Sequence, residues 1–318
     1  MINSAQINSA AMQRFSRLSA NHRLAHAYLL VGPQDSGKTQ TALSLAQLVN
    51  CESETSKPCG ECAACRKIAS GNHPDVHVIG NDEMDSIKIE EIRFLLSRAQ
   101  LMAYEAKTKV FIIRNIELMT LEAANALLKT LEEPAANTLM ILTTSVPEAN
   151  LDTIKSRCHI IKFFPSSVDR IAQLLMDEGV STQDARFLAV YSEGCLGKTR
   201  KLMKQEIITR RRKVLDEMLL NRNNDSFLKE LSSDPQESSQ ALRLLLSFFR
   251  DVILFKSGVP KAALVHQDCL KAMEKFAARG FEDMALIIRQ IVKTKKLVDE
   301  NLNVKMSLSL LREHIWAN

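Results

Sequence analysis

Aromatic residues are scarce in this chain of 318 residues: one Trp, three Tyr and twelve Phe make up 5% of it. Ala and Leu fill the apolar positions instead, which favours a helix-rich protein. Long apolar runs are missing too. No stretch approaches the ~18 consecutive apolar residues of a membrane span. The opening MINSAQINSAAMQRF lacks the charged-then-apolar order of a secretory signal. The expectation is a soluble, cytoplasmic protein with no membrane partner. Strong charge of one sign is also absent, since 42 Lys and Arg stand against 37 Asp and Glu, a net +5. That balance permits contact with nucleic acid without demonstrating it. Cysteine is too sparse and too unevenly spread for a disulfide framework. Of seven Cys, four crowd between residues 51 and 65, while Cys158, Cys195 and Cys269 stand alone.

The composition, 46% hydrophobic and 25% charged, allows sizeable cores. Residues 27–163 alternate short β-prone runs with helical patterns. AYLLV (27–31), DVHVI (75–79), KVFII (109–113), TLMILTT (138–144) and HIIKF (159–163) read as strands. Segments such as TQTALSLAQLV and LEAANALLKTLEE between them read as helices. Strands apolar on both faces, alternating with helices, predict a parallel sheet covered by helices. After Pro165 the β signals stop. Short helices are expected over 166–205 and longer ones over 206–318, broken by polar patches such as NRNNDS and SSDPQESS.

The first strand runs into VGPQDSGKT, which has the spacing of a phosphate-binding loop. Gly32, Ser36 and Gly37 free backbone N–H groups for phosphate oxygens, and the following helix adds its positive end. Lys38 supplies a point charge, and the Thr39 hydroxyl can meet Mg²⁺. Hydrolysis needs more: an Asp after another strand to hold Mg²⁺ and usually a Glu to orient water. After KVFII the chain reads Arg114, Asn115, Ile116, Glu117. A cation at the carboxylate position opposes Mg²⁺, since two like unit charges about 4 Å apart repel by about 4 kcal/mol at an effective dielectric of about 20. Glu117 lies beyond the strand end and is a poor substitute. ATP or ADP binding stays open; Mg²⁺ binding is disfavoured.

Cys51, Cys59, Cys62 and Cys65 give the spacing C-x₇-C-x₂-C-x₂-C. Four thiolates suit tetrahedral Zn²⁺ and leave no open position for catalysis, so the expected site is structural. Pro58 and Gly60 supply the tight turns. His73, in NHPD, reads better as a turn entering the next strand than as a ligand.

GPQDSGKT, CGECAAC, LEAANALLKTLEEP and TIKSRC, in this order, resemble the AAA+ clamp-loader subunits of bacterial DNA polymerase III. The resemblance covers 20–165 strongly and continues weakly through EGCLGK (193–198), FFRDVILFKSG (248–258) and NLNVKMSLSLL (301–311). It implies a P-loop α/β domain over 1–165 with a zinc knuckle at 51–65, a small helical lid over 166–205, and a helical collar over 206–318 that joins a ring. The motor subunits of the family, γ or τ, keep an Asp-Glu pair after the third strand. Arg114-Asn115 places this chain with the non-hydrolysing δ′ branch, although an intact phosphate loop is a departure from many δ′ members. The resemblance implies partners of the γ/τ and δ kinds in a heteropentameric ring. Through the ring, the chain would meet the sliding clamp and primed DNA. It also implies that Arg157, in KSRC, is an arginine finger reaching ATP on a neighbouring subunit. Thr144 and Ser145 fall at the sensor position, and Lys198 near a second sensor. The basic run 201–213 is expected to be helical, facing either solvent or DNA, and Trp316 to pack in the collar. The rival functions are a γ/τ-type motor ATPase and a free-standing zinc-knuckle DNA-binding module.

Overall fold

The structure, a computed structural model, describes residues 9–81, 85–146, 152–221, 225–300 and 302–316. Part of the polar patch NRNNDS lies outside the described residues. Two compact units divide the chain: 1–166 with 195–198, and 167–194 with 199–318.

The first unit holds strands β1 (Ala27–Val31), β2 (Val76–Ile79), β3 (Lys109–Ile113), β4 (Thr138–Thr144) and β5 (His159–Lys162). They form one sheet in the order β2-β3-β4-β1-β5, all pairs parallel. Register sets Leu29 beside Leu142 and Ile160, and Ile113 beside Leu142. The expected strands thus appear within a residue of their predicted ends. Helices α1 (Ser9–Ala20), α2 (Lys38–Asn50), α3 (Ala63–Ala69), α4 (Ile89–Gln100), α5 (Leu121–Glu132) and α6 (Asp152–Lys155) complete the unit.

Successive side chains on a strand point to opposite faces, and in the central strands β1, β3 and β4 both faces are buried. Leu29, Phe111, Ile113, Met140 and Leu142 pack on one side with Ile92, Leu95, Ala123, Leu127 and Leu131 of α4 and α5. Tyr28, Leu30, Val110, Ile112 and Ile141 pack on the other with Phe15 of α1 and Ala42, Leu45 and Ala46 of α2. All five strands run the same way, so the loops that leave their carboxyl ends gather on one edge of the sheet. Functional groups of such sheets collect on that edge.

The second unit is helical, with α7 (Val168–Asp177), α8 (Thr182–Tyr191), α9 (Leu196–Lys204), α10 (Ile207–Leu219), α11 (Asp225–Ser232), α12 (Pro235–Lys256), α13 (Leu270–Ala277), α14 (Phe281–Asp299) and α15 (Val304–Trp316). The start of α9 counts with the first unit. The basic run 201–213 is not one helix. Glu206, at φ 50°, separates α9 from α10. Its arginines are also engaged within the chain: Arg210 with Glu237 and Gln240, Arg211 with Asp268, and Arg212 with Asp184. Lys213 pairs with Glu230 at 2.5 Å. Trp316 packs as expected, its indole N–H donating to the Met218 carbonyl at 3.1 Å.

Candidate functional site

The phosphate loop joins β1 to α2. Gly37 caps the helix at φ 89°, a left-handed conformation open to glycine, and leaves the first N–H groups of α2 without a side-chain cap. Gly32 is required for a different reason: a Cβ there would stand 2.5 Å from the Phe163 carbonyl oxygen. Lys38 is 6% exposed, and its ammonium donates to the carbonyls of Gly32 at 2.7 Å and Pro33 at 2.6 Å. The cation therefore rests on its own loop. At the start of α9, the Gly197 N–H donates to the Asp35 carbonyl at 3.1 Å. A Cβ at Gly197 would meet that oxygen at 2.6 Å, so α9 touches the loop by backbone. Lys198 follows directly.

The ends of β3 and β4 stand on the same edge. Asn115 follows β3 in a left-handed conformation, φ 52°, and its N–H donates to the Thr143 hydroxyl at 3.1 Å. A single turn of 3₁₀ helix, Ile116–Leu118, then brings Glu117 back toward β4. Glu117 Oε1 accepts from both the N–H (3.0 Å) and the hydroxyl (2.6 Å) of Ser145. Burial raises the carboxyl's pKa, but hydrogen bonds, those from Ser145 foremost, more than offset it and hold the group below its usual range. The sequence placed Glu117 beyond useful reach; the structure shows it committed to Ser145.

The four cysteines converge. Cys51 ends α2, Cys62 caps α3, Cys65 sits inside α3, and Cys59 comes from the turn between. Their sulfurs all lie within 4.8 Å of one another. Zn–S bonds of about 2.3 Å in a tetrahedron place sulfurs about 3.8 Å apart, so the set fits a single zinc. Backbone N–H groups point at the sulfurs: Cys59 at Cys51 (3.4 Å), Cys62 at Cys59 (3.3 Å) and Cys65 at Cys62 (3.4 Å). Such donors favour thiolate. The N–H of Glu52, with that of Cys65, brings the Cys62 thiol down to about 6, while burial pushes Cys65 up to about 12. The knuckle is tied to the unit by Gln47 Nε2 on the Cys65 carbonyl (2.9 Å) and Lys107 Nζ on the Cys51 carbonyl (2.8 Å). His73 is buried apart from the sulfurs, with Nδ1 accepting from the Asp75 N–H at 3.2 Å.

Arg157 lies in the turn between α6 and β5, away from the chain's own phosphate loop in sequence and held by a separate set of partners. Its Nε donates to Glu132 Oε1 at 2.8 Å, and Nη2 donates to the same oxygen. Nη1 donates to the Thr153 carbonyl (2.8 Å) and the Ser156 hydroxyl (3.1 Å). Neighbouring Cys158 is half-buried against the core, and burial pushes its thiol up to about 12, so it is an inert packing residue. Sequence reasoning missed Glu132, Glu117 as a partner of Ser145, and Gly197. No local pattern marks Glu132, which is 25 residues from Arg157.

No helix among the described residues is long and apolar enough to cross a membrane. The family model for the DNA polymerase III delta subunit matches residues 7–167, and that for the C-terminal part of the delta subunit matches 205–313. The DNA polymerase III subunit delta′ of Bacillus subtilis is 32% identical over 89% of this chain and 88% of its own length. That of Pseudomonas aeruginosa is 39% identical over 45% of this chain and 44% of its own. Subunit tau of B. subtilis is 28% identical over 84% of this chain and 53% of its own. Phosphate loop, cysteine knuckle and helical C-terminal unit thus lie within matches that span most of the sequence, and the chain belongs to the DNA polymerase III delta-subunit family as a delta′-like clamp-loader subunit.

Proposed function

We propose that this delta′-like subunit does not hydrolyse nucleotide itself. It serves as a partner of γ/τ and δ subunits in a heteropentameric ring that loads the sliding clamp on primed DNA. The observation that carries the reading is the carboxyl edge of β3. Arg114 and Asn115 stand where Mg²⁺ would need a carboxylate, and the carboxylate that follows them in the chain, Glu117, is bound by Ser145. Gly32, Ser36, Gly37, Lys38 and Thr39 would cradle phosphates of ATP or ADP without a carboxylate to hold the metal. Cys51, Cys59, Cys62 and Cys65 would hold one structural Zn²⁺, stiffening the insertion after α2. Arg157 would act in trans on the γ-phosphate of a neighbouring motor.

The test has two arms. The isolated chain should show ATP turnover at background; turnover near that of a motor subunit, abolished by Lys38→Ala, would establish the motor reading instead. In a ring reconstituted with motor subunits, Arg157→Ala should leave assembly intact. It should also slow hydrolysis at the adjacent site, where such fingers contribute about 10³–10⁵ in rate. Lys at 157 should rescue poorly, because an ammonium cannot present a planar fork. Unchanged hydrolysis and clamp loading would remove the finger from the proposal.

A further inference from the structure

Arg157 cannot offer its Nε–Nη2 fork while it keeps the contacts seen here. A guanidinium has five N–H donors arranged along two edges that can each grip an oxyanion with a pair of bonds. One edge, Nε with Nη2, is spent on Glu132 Oε1. Beyond that edge, Nη1 donates to the Thr153 carbonyl and the Ser156 hydroxyl. The side chain is still reachable, with 31% of Arg157 and 51% of Glu132 exposed. An ion pair so open to solvent is worth little, about 0–1 kcal/mol, and is easily exchanged for a more highly charged partner.

We infer that Glu132 is a positioning residue that latches the Arg157 guanidinium in cis. The latch opens by exchange when a nucleoside triphosphate on a neighbouring subunit presents its terminal phosphate. This rests on the arginine-finger reading. Two properties make Glu132 a threshold and not a support. It neutralises the charge the finger would deliver, and it occupies the edge that a phosphate would grip. Thr153 and Ser156, being neutral and on the same short helix-turn, fix the direction of the side chain without cancelling its charge.

The latch is tested first in the free chain. The Nε–H signal of Arg157 in labelled full-length protein, assigned by its loss in Arg157→Ala, should be protected from solvent exchange, and Glu132→Gln should remove that protection. In the reconstituted ring, with the phosphate-loop lysines of the other motors replaced, Glu132→Gln should lower KM for ATP at the adjacent site up to about fivefold. The kcat there should stay within about twofold. An unprotected Nε–H in the unmodified chain overturns the latch, as does a Glu132→Gln ring with unchanged or raised KM or a markedly lower kcat. If Arg157→Ala itself leaves the adjacent site unaffected, the finger reading fails and the inference falls with it. If Arg157→Ala slows that site and Glu132→Gln does not lower KM, only the latch is wrong.

Discussion

Glu117 and Ser145 are bound through a single carboxylate oxygen, which accepts the serine's N–H at 3.0 Å and its hydroxyl at 2.6 Å. The pair ties the turn after β3 to the end of β4. The other oxygen, Oε2, is buried without a hydrogen-bond partner, so the Ser145 bonds at Oε1 carry the largest share of the compensation for desolvation.

Ser145→Ala should therefore destabilise the α/β unit by about 1–3 kcal/mol, through loss of a hydrogen bond to a charged, partly buried group. The sign with pH follows from the depressed carboxyl. The stabilisation is present above the ordinary carboxylate range and is lost as pH falls through the lower folded value. Urea unfolding of the variant and the unmodified chain at pH 7 and pH 4 checks this, and the difference between them should shrink at the lower pH.

One zinc per chain should copurify, detected by elemental analysis of reduced protein. Structural zinc in small sites has an apparent binding free energy of roughly 10–16 kcal/mol at neutral pH. Cys62→Ser should therefore abolish stoichiometric metal and expose the knuckle to protease between residues 51 and 65, with the helical unit still folded. Metal-free, protease-resistant protein would refute the site.

Gly32→Ala should destabilise the first unit by about 1–3 kcal/mol, because the added methyl would lie 2.5 Å from a backbone oxygen and 2.7 Å from Cβ of Phe163. Gly71→Ala is the control. Nothing lies within 4 Å of its added Cβ, and the cost of its φ of +76° is about 1 kcal/mol. Thermal unfolding of the two variants should rank them in that order.

His266 gives the helical unit a pH dependence. Burial, then the cations Arg211 and Arg250, push the imidazole down to about 3. A depressed histidine contributes stability that is complete above its unfolded value near 6.5 and is lost as pH falls toward 3. At pH 5 the loss is about 2 kcal/mol. Trp316, the only tryptophan, lies in this unit and reports its unfolding by fluorescence. Between pH 7 and 5 the urea midpoint should fall, and His266→Gln should flatten that fall. Asp251, which burial pushes up, has the opposite sign, so the comparison with the variant isolates the histidine.

Much of the α/β unit was legible because its signals are short-range. A β-prone run such as KVFII and a phosphate-loop spacing such as Gly32 to Thr39 are complete within a few residues. The cysteine spacing likewise brings four sulfurs together, because a tight turn and one helical turn cover the distance. The basic run 201–213 shows the limit. Composition marked a charged helix, but the left-handed Glu206 splits it, and its arginines pair with acids between 27 and 57 residues away.

What the sequence determined alone is the set of elements and the kinds of groups they carry: a parallel sheet with a phosphate loop, no carboxylate pair after β3, four thiols in one knuckle. What only the tertiary structure decided is which groups are already spent. Lys38 rests on its own loop, Glu117 is held by Ser145, and Arg157 is gripped by Glu132. Periodicity and spacing are properties of neighbouring residues, and backbone geometry enforces them locally. The partner of a charged side chain is chosen by which distant strand or helix end the packed core sets beside it. That choice is made when the sheet edge assembles.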